Sequence, residues 1–372
     1  MAPTTAYTYT YMGSVFIRLI PPPAYMTMPS VGVDISDTSL KYISFKPTRS
    51  DCTREIECWG EIAIPSNVLS RGEVKDPKQL VAVLKEFKAR TKAEFIRVSL
   101  PEERAYLFET DIKHSTPLKE VRGLLEFRLE ENVPIPSREV FFDYAILAAA
   151  EDAKAVDVSV VAYAKQTVEA YYTACQEAGL RPLSFEVEAQ AMARAVIPYN
   201  TKGATLVVDF GKTRSGVGIV YQGALLNAST IDIGGTQLSE ILRKVLGDKT
   251  EAELTLIKNE QGLVRSIDSS KVRDALLSTV SVIKDELVTR MQYWHMRTGN
   301  DDARRINSII LCGGSANLKG VAEYLSESLE LPTIRGNVWT NVFSLDDTVP
   351  PIDRPHSYGY AAAIGLALKN TV

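Results

Sequence analysis

The chain has 372 residues, 45% hydrophobic and 24% charged, with 42 basic side chains against 46 acidic ones and a formal net charge of −4. That is the balance of an ordinary globular protein of two or three domains. No basic stripe marks a nucleic-acid surface, and the apolar runs are of strand length, too short to cross a membrane. The four cysteines, Cys52, Cys58, Cys175 and Cys312, form no CxxC pair, and the histidines have no ligand spacing. A structural zinc site is not expected, and a reducing cytosol fits best.

Residues 1–28 are Thr- and Tyr-rich and run into Pro21-Pro22-Pro23. Val15–Ile20 is too short and too Arg-interrupted for a signal peptide, so this stretch reads as a disordered tail or a mis-assigned start, with Met28 as a candidate initiator. An apolar run then ends in Asp34, passes a polar turn and returns as Leu40–Phe45, the pattern of a hairpin. Glu55–Ile64 and Phe95–Leu100 read as strands, and Asp76–Thr91 as a helix with an N-cap and a first-turn proline.

Residues 102–182 change character. Leu118–Asn132 is an amphipathic helix stopped before Pro134-Ile135-Pro136, Val140–Ala148 and Val156–Ala162 are strands, and Thr167–Ala178 is a helix closed by Gly179. This α-β-β-α block reads as a small α+β insertion. Phe185–Val196 reads as a connecting helix. A second acidic hairpin follows, Leu206–Val220 around Asp209, with Gly211, Thr213 and Ser215 in or beside its turn; the strand Ala224–Ile231 ends near Gly234-Gly235. Helices are expected over Thr236–Leu246, around 250–260, near Ser269–Arg297 and over Leu318–Ser328. The strand Ser308–Cys312 runs into Gly313-Gly314-Ser315. His356–Lys369 closes the chain as a helix of small residues suited to close packing.

Taken singly, each acidic turn could be an ordinary hairpin with a solvent-facing Asp, and each glycine pair an ordinary β–α turn. Taken together they predict two similar halves facing a cleft. Turn N–H groups and hydroxyls would cradle phosphates, and two carboxylates would position a hydrated cation.

The order of these elements resembles the actin/Hsp70/sugar-kinase ATPase superfamily, with its phosphate-1, connect-1, phosphate-2, adenosine and connect-2 motifs. Within that superfamily the stretches Val121–Arg128, Val133–Pro136, Phe142-Asp143-Tyr144, Asp157–Ala162, Ala178–Pro182 and Val187–Ala191 are similar to those of the PilM family, the cytoplasmic actin-like component of type IV pilus assembly. The resemblance runs in order from about residue 30 to 370. It implies an α/β, actin-like (ribonuclease H-like) ATPase fold. Its expected parts are a tail (1–28), a first domain (29–101), an inserted α+β subdomain (102–182), a connecting helix (183–202), a second domain (203–355) and a C-terminal helix packing back on the first (356–372).

The resemblance also implies ATP and Mg2+ as cofactors. Carried over residue by residue, Asp34, Ser36, Thr38, Ser39 and Lys41 match phosphate-1, and Asp209, Gly211, Lys212, Thr213 and Arg214 match phosphate-2. Gly234 and Gly235 match the glycines near ribose and phosphates, and Gly313, Gly314 and Ser315 the adenosine motif. Asp34 and Asp209 would hold the magnesium, and Glu188 falls where relatives orient a water; its bland alternative is a charge on an exposed helix face. Ser36 departs from the usual glycine, where a Cβ narrows the backbone and crowds a phosphate. Lys212 and Arg214 replace small residues and either pair with phosphates or point into solvent.

The implied partner is the cytoplasmic N-terminal peptide of a PilN-like inner-membrane protein, gripped by the first domain and its insertion. The chain is then cytoplasmic and peripheral at the inner membrane through that partner, with no membrane insertion of its own and no nucleic acid. Turnover of ATP is expected to be slow or absent, and self-association is left open. Two competing readings are a small-molecule kinase of the superfamily, for which no catalytic Asp context is found, and an FtsA-like polymerising protein, which would carry a basic amphipathic C-terminal helix.

Overall fold

The computed structural model describes residues 28–46, 54–149, 153–265, 270–299 and 301–369. The expected N-terminal tail, Met28 excepted, and Cys52 lie outside these residues. A meander of β1 (Ser30–Ile35), β2 (Ser39–Phe45) and β3 (Ile56–Ala63) opens the fold. A short ribbon, β4 (Leu69–Ser70) with β5 (Glu73–Val74), and helix α1 (Pro77–Thr91) lead to β6 (Phe95–Leu100). Asp76 caps α1, its carboxylate accepting from the Gln79 N–H at 3.0 Å, with Pro77 in the first turn.

Next come β7 (Ala105–Lys113), α2 (Leu118–Asn132), β8 (Val140–Ile146) and β9 (Ala155–Ala164), then α3 (Lys165–Glu177), β10 (Arg181–Val187) and α4 (Glu188–Val196). The second half follows with β11 (Ala204–Phe210), β12 (Ser215–Tyr221), β13 (Ala224–Ile231), α5 (Gly235–Leu246), α6 (Glu251–Glu260), α7 (Ser270–Arg297), β14 (Ile306–Cys312), α8 (Val321–Leu329) and β15 (Thr333–Arg335). Helix α9 (Ala361–Leu368) comes last.

The first sheet runs β10-β6-β1-β2-β3 and the second β13-β12-β11-β14-β15. Numbered within its own half, each sheet has the order 3-2-1-4-5, with the first three strands antiparallel and the last two parallel to the first. The likeness of the two hairpins is therefore a likeness of whole sheets. Each acidic residue sits at the carboxyl end of its sheet's central strand, where open α/β sheets place ligands.

The two central helices hold the halves together at backbone contact. A Cβ on Gly32 of β1 would lie 2.1 Å from the Ala363 carbonyl of α9, and one on Gly365 of α9 would lie 1.7 Å from the Ala191 carbonyl of α4. Arg194 of α4 donates to the Gly365 carbonyl at 2.8 Å. The small residues noted near the C-terminus are thus spent on this crossing. The helix expected over His356–Lys369 is interrupted, with a short helix Arg354–Ser357 and a 3-10 turn Tyr358–Tyr360 preceding α9.

Besides the short strands β4, β5 and β15, which were not expected, two longer strands differ from expectation. The block after residue 102 has a three-stranded sheet, β7-β9-β8, backed by α2, whose Val121, Leu125 and Leu129 are buried in a separate apolar core. Its first strand, β7, was not expected. Its inward residues Phe108 and Ile112 are separated by polar Glu109, Thr110 and Asp111, which weakens the alternation. Phe185–Val187, expected to begin the connecting helix, instead finish β10, and the helix starts at Glu188. Pro182 hid this strand, yet β10 is an edge strand with a register shift at Pro182, the setting in which a sheet accepts proline. Helix α3 contributes Tyr171, Ala174 and Cys175 to the core of the first sheet.

Candidate functional site

The hairpins β1–β2 and β11–β12 face each other across a cleft of about 990 Å3. The structure brings together there Asp34, Ser36, Thr38, Ser39, Lys41, Glu188, Asp209, Gly211, Lys212, Thr213, Arg214, Gly235, Gly313, Gly314 and Ser315. Gly234 is the one candidate that does not line the space. It lies under the second turn, where a Cβ would come within 2.6 Å of the Arg214 nitrogen and 2.7 Å of the Lys212 carbonyl.

In the first hairpin, the Ser36 N–H and hydroxyl both donate to the Ser39 carbonyl (2.9 and 3.0 Å), and the Ser39 N–H donates back to the Ser36 hydroxyl at 3.2 Å. Ser36 is not among the residues with left-handed backbone. The turn therefore asks for no glycine, and the serine side chain closes it, which removes the backbone objection raised by the sequence. Asp34 is buried and accepts from the Ser99 hydroxyl at 2.7 Å, while Ser99 accepts from the Ile35 N–H at 3.1 Å. Lys41 reaches the Ser39 hydroxyl at 2.7 Å and pairs with Glu61 of β3 at 3.2 Å.

The second turn is built on glycine. Gly211 donates to the Arg214 carbonyl at 3.1 Å, and the Gly235 N–H and Ser315 hydroxyl donate to the Gly211 carbonyl at 3.0 and 2.9 Å. Gly313 has φ +81°, and a Cβ there would lie 2.3 Å from the Asp209 carboxylate. Only glycine lets the β14 turn come this close to the acid. Gly314 borders open space, with nothing within 4 Å of its would-be Cβ, so a ligand can approach its backbone. Lys212 is exposed at the cleft edge. Arg214 neither points into open solvent nor stands free in the cleft: it pairs with both Asp37 and Glu103.

Four carboxyl groups crowd the cleft floor. Burial, followed by the charge of Asp34, raises Asp209 to about 6, opposed by Lys41 and by a hydrogen bond with Glu188. Asp34 is also raised by burial, with Lys41 opposing. Glu188 is held well above the usual carboxylate range by burial and by Asp34, Glu102 and Asp209, so its environment is not that of a charge on an exposed face. Glu102, which sequence reasoning missed, is pushed up to about 8 by burial and the charges of Asp209, Glu103 and Asp34. Like charges in a low-dielectric pocket cannot all ionise unless a cation joins them. Among the described residues no three His, Cys, Asp or Glu side chains stand close enough to hold an ion directly. The acids therefore suit a cation that keeps its water shell, as Mg2+ does.

The sequence held a signal for Glu102. Pro101-Glu102-Glu103 follows the buried strand β6 directly, at its carboxyl end. Also missed were Trp59 and Glu61 of β3, and Glu251, Thr255, Lys258 and Asn259 of α6, all of which line the cleft. Lys258 is buried and donates to the Ser239 hydroxyl at 2.8 Å and the Gly235 carbonyl at 3.3 Å. Lys258 apart, these residues lie on solvent-facing positions of ordinary elements, and only the folding of one half against the other turns them into a wall.

With this geometry in view, comparison with known proteins is specific. A structure titled PilM-PilN type IV pilus biogenesis complex superposes with a TM-score of 0.74 at 21% identity, covering 92% of this chain and 98% of that one. MreB5 of Spiroplasma citri, bound to ADP, superposes with a TM-score of 0.50 at 14% identity, covering 84% and 92%. The fold is the actin-like one. Cell division protein FtsA of Pseudomonas aeruginosa is 26% identical over 235 residues, 58% of this chain and 54% of FtsA, so the chain spans about half the length of this curated relative. Among the described residues no helix is long and apolar enough to cross a membrane. The family model for type IV pilus assembly protein PilM matches residues 32–371, and the chain belongs to that family.

Proposed function

We propose that this chain is a nucleotide-binding scaffold of type IV pilus assembly, taking ATP with Mg2+ in the cleft and a short peptide of a PilN-like inner-membrane protein on its inserted sheet. One observation carries the nucleotide reading: Asp34 and Asp209, far apart in sequence, end the two central strands on opposite walls of one cleft. The residues fit the cofactor. The acids lack enough cation charge, Gly313 admits no side chain, and the Gly314 backbone is open.

Asp34 and Asp209 would hold the cation through its waters. The turns Ser36–Ser39 and Gly211–Arg214 would offer N–H groups and hydroxyls to the phosphates, and Gly313–Ser315 would carry the adenosine. Glu188 would orient a water at the terminal phosphate if turnover occurs. Bound Mg2+ supplies neutralisation of charge developing on the phosphates. Lys41, already bonded to Ser39 and Glu61, can turn its ammonium to a phosphate without leaving the cleft wall.

The peptide reading rests on two supports. The similar structure is itself a complex of PilM with PilN. The inserted block here exposes the apolar side chains Leu118 (74%) and Phe127 (77%) of α2 and, less fully, Phe141 and Ile146 of β8, single apolar contacts of the kind an apolar peptide segment can use. Recruitment through such a peptide would place the protein at the inner membrane without a span of its own.

The test is thermal unfolding with ATP–Mg2+, read alongside tryptophan emission. Trp59 is 42% exposed on the cleft wall, whereas Trp294 and Trp339 are buried. A ligand at about 100 times its Kd should raise stability by about 2.7 kcal/mol and change Trp59 emission. No shift in either signal defeats the nucleotide reading. Failure of a PilN-like N-terminal peptide to bind defeats the partner reading separately.

A further inference from the structure

One buried acid at the cleft floor, Glu102, has no part in the roles assigned above. It follows β6 at the cleft floor, is 5% exposed and lines the cleft, yet its Oε1 has no hydrogen-bond partner among the described residues. A buried carboxyl oxygen without a partner is costly. Asp34, by contrast, is bonded to Ser99. Glu102 faces Gly216 of β12 on the opposite wall, where a Cβ would lie 2.9 Å from Glu102 Oε1 and 3.4 Å from Oε2.

The neighbours of Glu102 are acidic on every side: Asp34 on β1, Asp209 on β11, Glu188 on α4 and Glu103 beside it. The cations lining this part of the cleft are committed elsewhere, Lys41 to Glu61 and Ser39, and Arg214 to Asp37 and Glu103. The local imbalance therefore calls for added positive charge. A divalent ion inside its water shell would supply it, and its waters are the hydrogen-bond donors that Glu102 lacks.

We propose that Glu102 is a third acidic arm of the divalent-cation site, a positioning residue that accepts from the ion's waters beside Asp34 and Asp209. This rests on the nucleotide reading for the place of the ion, but the assignment of Glu102 is tested apart from it. Glu102 acts from the end of β6, so the ion would be gripped by adjacent strands of the first sheet, β1 and β6, and from the second sheet by β11.

The experiment measures Mn2+ alone binding to the full chain by electron paramagnetic resonance, then the Mg2+ concentration that half-saturates the thermal shift caused by ATP. Glu102→Gln keeps the shape and removes the charge. Gly216→Ala approaches from the other wall, where the three atoms nearest the would-be Cβ all belong to the Glu102 carboxyl. Both variants are expected to weaken Mn2+ by about tenfold or more and to raise the half-saturating Mg2+ similarly. Any shift caused by ATP in EDTA should be unchanged. Without a cation, Glu102→Gln should melt no lower than the parent, and higher above about pH 8, where the parent's buried carboxyl must lose its proton. Unaltered Mn2+ and Mg2+ requirements in both variants overturn the assignment. So does a parent protein that binds no Mn2+ with or without nucleotide. A parent that binds Mn2+ but gains nothing from ATP defeats the nucleotide reading and leaves the Mn2+ comparison to judge Glu102.

Discussion

Arg214 and Asp37 form an ion pair across the mouth of the cleft, one from the β11–β12 turn and the other from the β1–β2 turn, each side chain 17% exposed. Arg214 also pairs with Glu103, and Asp37 accepts from the N–H groups of Arg71 and Gly72 at 3.0 and 3.2 Å. One guanidinium thus fastens the second half to two carboxylates of the first. A second cross-cleft pair, Arg71 with Asp232 at 2.7 Å, is 61% and 67% exposed, and solvent screens it nearly to nothing. Arg214→Ala should therefore destabilise the nucleotide-free protein by about 1–3 kcal/mol, whereas Asp232→Ala should change it little. Scattering should show the Arg214→Ala cleft opening, seen as a larger radius of gyration. Equal effects from the two variants would remove the latch from the account.

Asp209 is expected to matter to ligand and to fold in opposite directions. Its loss removes an acceptor for the cation's waters, so Asp209→Ala should weaken ATP–Mg2+ by at least about tenfold, or 1.4 kcal/mol, measured by calorimetry. The same change relieves repulsion among Asp34, Glu102 and Glu188, so the apo variant should melt no lower than the parent. A marked apo destabilisation with unchanged nucleotide affinity would make Asp209 a structural residue.

The acids at the cleft floor give the apo protein a signed pH dependence. Glu102 is held up to about 8 against an ordinary value of 4.5, and Asp209 to about 6 against 3.8. Between those limits the folded state holds more protons than the unfolded chain, so stability falls as pH rises. For Glu102 the fall begins above about pH 4.5 and is complete above about pH 8. In EDTA, the melting temperature of the parent should fall more steeply over this window than that of Glu102→Gln. Parallel curves would mean that Glu102 titrates as an ordinary surface acid does.

Much of this site was legible because its parts are local. Asp34 and Asp209 stand at the ends of apolar runs before polar turns, and Gly313-Gly314 directly follows a buried strand. The amphipathic period of α2 fixed its limits at Leu118 and Asn132. What stayed hidden depends on distant partners. Glu102 is an ordinary charged residue until Gly216 of the other half closes over it. Arg214 could not be assigned because its two acids come from elsewhere in the chain. Strand β7 was missed for its polar stretch, and β10 for a proline that only its edge position makes acceptable. Ser36 misled in the opposite sense: the expected glycine is replaced by a side chain that bonds within the turn.

The helix crossing gives a packing test without reference to ligand. A Cβ on Gly365 would sit 1.7 Å from the Ala191 carbonyl, with both backbones locked in buried helices. Gly365→Ala should therefore force α4 and α9 apart and cost more than about 3 kcal/mol, read by urea unfolding. Gly223→Ala, on an open β12–β13 turn with φ +78° and nothing within 4 Å, should cost only its local backbone strain of about 1 kcal/mol. Comparable losses at the two sites would show that the crossing yields without strain.

The inserted sheet does not ride on the first half alone. Arg304, just before β14, donates to Glu109 of β7 at 2.7 Å, pairs with Asp157 of β9 and lies over the Tyr221 ring. Arg297 of α7 adds a longer contact to Glu109, and the Ser159 hydroxyl of β9 donates to the Leu225 carbonyl of β13 at 2.6 Å. Any change in the cleft angle must therefore pass to the sheet that would carry the peptide. If ATP–Mg2+ closes the cleft, peptide affinity should differ with and without nucleotide, and by linkage the peptide must alter nucleotide affinity by the same factor. Arg304→Ala should shrink that factor toward one while leaving nucleotide binding by itself nearly intact, because Arg304 does not line the cleft. Calorimetric titration of each ligand in the presence of the other reads the factor directly. A coupling of equal size in parent and variant would show that the Arg304 contacts carry no signal.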